Sequence, residues 1–258
     1  MTVTTARRSE RPAGLDASTV AEAFQLTAAA HPDRIALRLK GDELAISWRE
    51  YADKVRRLAG GLAGLGLERG ASMGIMLTNR PDFHWFDSAA LHLGATPFSI
   101  YNTYAPDQVQ YQLQDAEARI LVTEKAFLDR VQELEGIEHL IVVDDEDGID
   151  VESHAPEDFD FEAAWRAVRP EDVLTLIYTS GTTGPPKGVQ LVHRNIMAAV
   201  RVADDVIQFP DGAKVISWLP AAHIAERAAH HYLPIVYAMT ITCCDNPREV
   251  VSLSLIHI

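Results

Sequence analysis

Cysteine is almost missing from this chain: two thiols in 258 residues, and those two, Cys243 and Cys244, are neighbours. Adjacent cysteines cannot close a useful loop, so a disulfide framework is excluded and buried, reduced thiols in a cytoplasmic protein are expected. Basic residues are also scarce, 23 Lys and Arg against 37 Asp and Glu, for a net charge of −14. No basic stripe offsets that balance, which excludes a nucleic-acid footprint and a basic membrane patch. Long apolar runs are lacking too. The longest, around Tyr232 to Cys244, is short and interrupted by Pro234, Thr240 and Thr242. No transmembrane segment is therefore expected, although peripheral contact with a membrane stays open. Met1 to Gly14 carries Arg7, Arg8 and Arg11 with no apolar segment behind them, which reads as a mobile tail and not as a signal peptide.

What is present is enough for a large core, with 47% hydrophobic residues. The acidity is local. Ten acids and no Lys or Arg fall between Asp144 and Glu162, and without that stretch the net charge is −4. The stretch reads as one solvated connection. Thr19 to Glu22 and Ser47 to Glu50 each place a hydroxyl three residues before a glutamate, the capping-box spacing that opens a helix. Helices are expected from there to about Ala30 and Gly66, and again after Pro81, at Asp107 to Asp115 and at Glu124 to Leu134. Strands are expected at Ile35 to Leu39, Ser72 to Leu77, Thr96 to Ile100, Arg119 to Thr123 and His139 to Val143. This alternation points to an α/β fold with mostly parallel β-sheets layered with helices. Phe83, Trp85, Trp218 and the Tyr101–Tyr104 turn are expected in the core.

Residues 178 to 189 read YTSGTTGPPKGV and lie between the aliphatic runs Val173–Ile177 and Val189–Val192, each of which reads as a buried strand. Gly181, Gly184 and Gly188 let the backbone approach a ligand, and consecutive turn N–H groups form a nest for anions. Thr179, Ser180, Thr182 and Thr183 add hydroxyl donors, Pro185 and Pro186 stiffen the exit, and Lys187 supplies one cation suited to phosphate. The inventory describes a polyphosphate cradle. A flexible surface hairpin is the plain alternative, but S-G-T-T-G-P-P-K-G arises by chance on the order of once in 10^11 positions. It is not a Walker A loop, because Lys187 is followed by Gly188 and a strand instead of Ser or Thr opening a helix.

At these residues the chain resembles the phosphate-binding signature of the adenylate-forming (AMP-binding) superfamily. The segments PDRIALRLK from Pro32, SWREYADKVRRLAGGLAGLGLERG from Ser47, NRPDFHWFDSAALHLGATPFSIYNT from Asn79 and SWLPAAHIAER from Ser217 resemble its long-chain fatty acyl-CoA synthetase branch. The resemblance implies activation of a fatty acid carboxylate by ATP to an acyl-adenylate, then thioesterification to coenzyme A. It implies that Thr179, Ser180, Gly181, Thr182, Thr183, Gly184 and Lys187 hold the β- and γ-phosphates with Mg2+ bridging. Lys187 and His223 become the catalytic candidates, with His223 at the carboxylate or its adenylate, and Glu226 and Arg227 a supporting ion pair. The absence of an acid at Ala222–His223 disfavours amino-acid substrates. His230 and His231 invite comparison with His223 as metal ligands, but no Cys or further carboxylate stands at ligand spacing, so no metal site is expected.

The resemblance further implies a tail over residues 1–15, an incomplete N-terminal AMP-binding domain over 16–251 and an aberrant end over 252–258. The small C-terminal domain, with its catalytic lysine, is absent from this sequence, so the fragment is expected to be inactive alone. A fatty acyl-AMP ligase, a short nucleotide-binding or interaction module without catalysis, and a kinase-like enzyme releasing ADP are the competing readings.

Overall fold

A computed structural model describes residues 11–179, 184–207 and 209–257. The chain opens with helix α1 (Val20–Ala30), strands β1 (Ile35–Arg38) and β2 (Ala45–Ser47), and helix α2 (Trp48–Gly64). Strand and helix then alternate through β3 (Ser72–Met76), α3 (Pro81–His92), β4 (Thr96–Ser99), α4 (Pro106–Asp115), β5 (Ile120–Thr123), α5 (Leu128–Val131), β6 (His139–Val142) and α6 (Phe161–Arg166). A hairpin, β7 (Val173–Thr179) and β8 (Lys187–Val192), leads into α7 (His193–Val206) and β9 (Lys214–Ser217). Helix α8 (Ile224–Arg227) continues through a π-turn at Ala228–Tyr232 into α9 (Leu233–Tyr237), followed by β10 (Thr240–Cys243) and α10 (Val250–His257).

Three sheets result among the described residues. One is ordered β2-β1-β10-β9, antiparallel only between β1 and β2. The second, β4-β3-β5-β6, is parallel throughout. The third is the antiparallel β7–β8 pair. The α/β class with mostly parallel sheets is thus observed.

Both caps form, but only the second is a full capping box, because Glu22 reaches back to Ser18 and not to the Thr19 N-cap. Thr19 Oγ1 accepts from Glu22 N–H at 3.1 Å while Glu22 accepts from Ser18 N–H at 2.7 Å. In α2 the Ser47 and Glu50 exchange is complete, at 3.3 and 2.8 Å. Helix α3 is buried on nearly every face. Phe24 of α1 meets Trp48 and Tyr51 of α2 and His92 of α3 edge-on, with centroids 5.7, 4.8 and 5.0 Å apart. That aromatic knot joins three helices, and the Tyr51 hydroxyl donates into α3 at His84 O, 2.9 Å away.

Four expectations change. Glu124–Leu134 is not one helix: a 3-10 turn at Lys125–Phe127 precedes the single turn of α5, because Phe127 leaves helical geometry at φ −116°, ψ 6°. Strand β8 is not buried. Among the described residues it pairs with β7 alone, and Val189 is 45% exposed. The acidic stretch is docked, not free. Glu152 binds Lys54 and Arg57 at 2.5 and 2.6 Å, and the 3-10 turn Val151–His154 lies directly on α2. A Cβ on Gly61 would fall 1.9 Å from Val151 O and one on Gly64 1.7 Å from His154 O, so only glycine permits this contact. Packing also starts within the segment expected as a tail, with Leu15 buried and its carbonyl accepting from Arg201 at 3.2 Å. At the other end, Leu253 of α10 is buried beside Ile216 and Cys244.

Candidate functional site

Strand β7 is the element that carries the glycine-rich loop. Its inner part is buried, and Thr175 and Thr96 stitch it to β4: Thr175 Oγ1 donates to Pro97 O at 2.7 Å and Thr96 Oγ1 to Val173 O at 3.0 Å. The exit is held as well. The Tyr111 hydroxyl donates to Pro186 O at 2.9 Å, and the Tyr178 hydroxyl donates to Asp115 at 2.8 Å. Burial, then that carboxylate, push the Tyr178 phenol up from its ordinary range. Gly188 lies over the Tyr178 ring, where a Cβ would come within 3.2 Å. Within this frame Thr179 and Lys187 are direct partners across the hairpin. Lys187 is exposed and makes no ion pair among the described residues. Among the described residues, nothing stands within 4 Å of a Cβ placed on Gly184. Ser180, Gly181, Thr182 and Thr183 lie outside the described residues.

His223 comes to the same place by a different route. Its Nδ1 accepts from Ala225 N–H at 3.1 Å, capping α8. A nitrogen that accepts carries no proton, so the neutral ring holds its hydrogen on Nε2 and has one donor to offer. His223, Thr179, Tyr178, Tyr101 and Tyr104 line one cleft of about 400 Å³. The two tyrosines pack at 5.2 Å and form its wall, so the turn expected in the core faces the site instead. The arrangement sets a hydroxyl and an imidazole donor around one concave space, with an ammonium opposite the hydroxyl across the hairpin. It can hold an anionic group, and no nucleophile is required of the protein.

Beneath the cleft, Glu226 and Arg227 are both buried but do not pair with each other, a second correction. Arg227 pairs with Asp87 of α3 and donates to the Tyr232 hydroxyl at 2.8 Å and to Ser99 Oγ at 3.1 Å. His231 Nε2 meets the other Asp87 oxygen at 2.9 Å, and its Nδ1 lies 3.0 Å from His84 Nδ1. Burial raises the Asp87 carboxyl, but Arg227 and His231 outweigh it and hold the group below its usual range. Burial, then His231, drive His84 well below the normal histidine value. Glu226 faces His230 Nδ1 at 2.6 Å. Thus His230 and His231 belong to separate carboxylates, and neither joins His223. Asp87 was missed in the sequence. The available signal was an acid inside the otherwise apolar helix FHWFDSAALH, where a charge needs a buried partner.

A separate cleft of about 480 Å³ opens outside the carboxyl ends of β3 and β5, where the second sheet reverses its strand order. Its cradle is already filled: the Glu124 carboxylate accepts from Thr78 N–H at 2.9 Å and from Arg80 at 2.7 Å. The Thr179–His223 cleft is therefore the better candidate.

The family model for AMP-binding enzymes matches residues 24–257. An uncharacterized protein of Mycobacterium tuberculosis is 43% identical over 140 residues, which are 54% of this chain and 79% of that protein. A long-chain-fatty-acid–CoA ligase of Xenopus laevis is 30% identical over 248 residues, 87% of this chain and 33% of the ligase. Among solved structures, O-succinylbenzoate coenzyme A synthetase of Bacillus subtilis in complex with AMP matches with a TM-score of 0.78 at 25% identity. That match covers 91% of this chain and 59% of the synthetase chain. The chain spans 33% of the ligase relative's length.

Proposed function

The chain belongs to the AMP-binding enzyme family, and from that premise we propose that its β7–β8 hairpin and His223 form the nucleotide-side half of a site that joins a fatty acid to AMP and then to coenzyme A. The observation that carries this reading is the convergence of Thr179 and His223 on one cleft, with Lys187 directly opposite Thr179. In the first step a carboxylate oxygen attacks the α-phosphorus of ATP, and the bond to the pyrophosphate oxygen breaks. In the second, the coenzyme A sulfur attacks the acyl carbonyl and AMP leaves with the electron pair. Both steps gain from charge stabilisation. Lys187 is the cation for the β- and γ-phosphates, Mg2+ arrives with ATP as substrate, and Thr179 opens the loop that encloses them. His223 donates Nε2–H to the carboxylate or to the adenylate formed from it. The fatty-acid preference follows the named activity of the Xenopus laevis relative. The nucleotide follows the AMP complex of the Bacillus subtilis synthetase.

The test combines AMP titration of the 258-residue chain with exchange of labelled pyrophosphate into ATP by the full-length gene product, across fatty acids of several lengths. AMP binding and fatty-acid-dependent exchange are expected. ADP release in place of exchange, or AMP affinity unchanged by His223→Ala, overturns the reading.

A further inference from the structure

Three donors converge on one buried carboxylate behind the His223 segment. Glu226 is 1% exposed. Its Oε2 accepts from Leu219 N–H at 3.1 Å and faces His230 Nδ1 at 2.6 Å, while Oε1 accepts from Asn79 Nδ2 at 3.3 Å. The same Asn79 amide donates to Leu219 O at 2.8 Å and to Ser217 Oγ at 3.0 Å. Leu219 is therefore gripped at both backbone groups, its N–H by Glu226 and its carbonyl by Asn79.

The two grips come from distant parts of the chain. Asn79 follows β3 in the second sheet, whereas Glu226 sits in α8. Between them they fix the segment that leaves β9 at Ser217 and reaches His223, whose own N–H donates to Pro220 O at 2.9 Å. Burying a carboxylate costs several kcal/mol unless its oxygens are well supplied with donors. Here every described partner is a donor and a short aliphatic side chain could supply none of it. Arg227, one residue on, performs another task, locking α8 to α3 and β4 through Asp87 and Ser99.

We propose that Glu226 and Asn79 are positioning residues for the adenylate site: they set the place of Leu219, and through it the place of the His223 imidazole in the cleft, without touching substrate. This rests on the reading of the cleft given above.

Hydrogen exchange followed by NMR on the 258-residue chain and its variants Glu226→Ala, Glu226→Gln and Asn79→Ala, paired with calorimetric AMP titration, tests it. In Glu226→Ala the Leu219 and His223 amides exchange about tenfold faster or more while Ile241 in β10 keeps its protection. The AMP dissociation constant rises about tenfold. Glu226→Gln, whose amide oxygen still accepts from Leu219, recovers most of both. Unchanged Leu219 exchange, or an equal rise at Ile241, overturns the proposal, the latter because it marks a general loss of stability. Should Glu226→Ala fail to fold, Asn79→Ala decides on the same two outcomes, since it frees the Leu219 carbonyl from a partly buried position. If the unaltered chain binds no AMP, the adenylate reading fails, and the exchange data still decide whether these two residues hold the segment.

Discussion

Acidification from pH 7.5 to 5.0 is expected to destabilise this fold by several kcal/mol, through imidazoles that cannot take a proton where they sit. His193 Nδ1 accepts from Val20 N–H at 3.1 Å at the start of α1, and its Nε2 is buried without a partner among the described residues. His92 lies between Ser88 O at 2.6 Å, which must receive Nδ1–H, and the Gln25 amide nitrogen at 2.9 Å, which donates to Nε2. A proton on either ring sets donor against donor in a dry interior. Burial accordingly lowers both histidines to about 4. The sign follows from the unfolded chain, whose histidines take up protons below about pH 6.5 while the folded ones wait until about 4. Unfolding thus binds protons throughout that window, and stability falls as pH falls. For each ring the loss by pH 5.0 is about 2 kcal/mol, so about 4 kcal/mol for the pair, a large share of a typical 5–15 kcal/mol. His84 acts in the same direction. Urea denaturation at constant ionic strength should show stability changing by at least about 2.4 kcal/mol per pH unit near pH 5.5, the contribution of His92 and His193 together. His193→Gln, which keeps an acceptor for Val20, should lower that slope by about 1.2. Carboxylates held below their ordinary values, such as Asp87 and Asp172, contribute at lower pH and do not mask the effect. A flat profile between pH 7.5 and 5.0, or a slope indifferent to His193→Gln, would refute the assignment of these rings as neutral and confined.

Gly61→Ala should destabilise the chain by about 1–3 kcal/mol in the same assay despite alanine's better helix propensity, because its methyl group meets the Val151 carbonyl. A more stable variant would show that the acidic segment can lift off α2 at no cost. Asp87→Asn leaves the Arg227 charge buried beside a neutral amide and should cost about 3–5 kcal/mol, read as a lowered urea midpoint. A loss below about 1 kcal/mol would mean that water or another acid takes over. Lys187→Ala should weaken Mg–ATP binding about tenfold while sparing AMP, which lacks the distal phosphates. In the full-length gene product it should also slow pyrophosphate exchange by about 10²–10³. Equal losses for both nucleotides would place the lysine elsewhere along the ligand.

Much of the fold is legible in the sequence because its signals are local. The Thr19 N-cap, the Ser47 capping box and Pro81 at the first position of α3 each depend on residues within one turn, and each appears where the spacing requires. Burial is a property of neighbours, and there the reading failed. Val189 has the same aliphatic character as Ile177, yet it lies on a strand with one described partner. Acid-rich composition suggested solvent for Glu152, whereas the glycines that receive its turn stand some ninety residues earlier in α2. The site divided in the same way. Thr179, Lys187 and His223 were legible from motif chemistry, and the structure brings Thr179 and His223 to one cleft with Lys187 across the hairpin from Thr179. The partners of Glu226 and Arg227 were not, since Asn79 and Asp87 are about 140 residues distant in sequence.

The hairpin register has a further consequence. Side chains of directly opposed residues in an antiparallel pair project from one face, so Thr179 and Lys187 look the same way, as do Ile177 and Val189 above them. Adding or deleting a single residue between Lys187 and Val189 would do more than change the length of the strand. With the upper pairs held in place, the ammonium would emerge on the reverse side of the ribbon, aimed away from the hydroxyl it now accompanies. The spacing from Lys187 to the paired residues of β8 is thereby as constrained as loop chemistry.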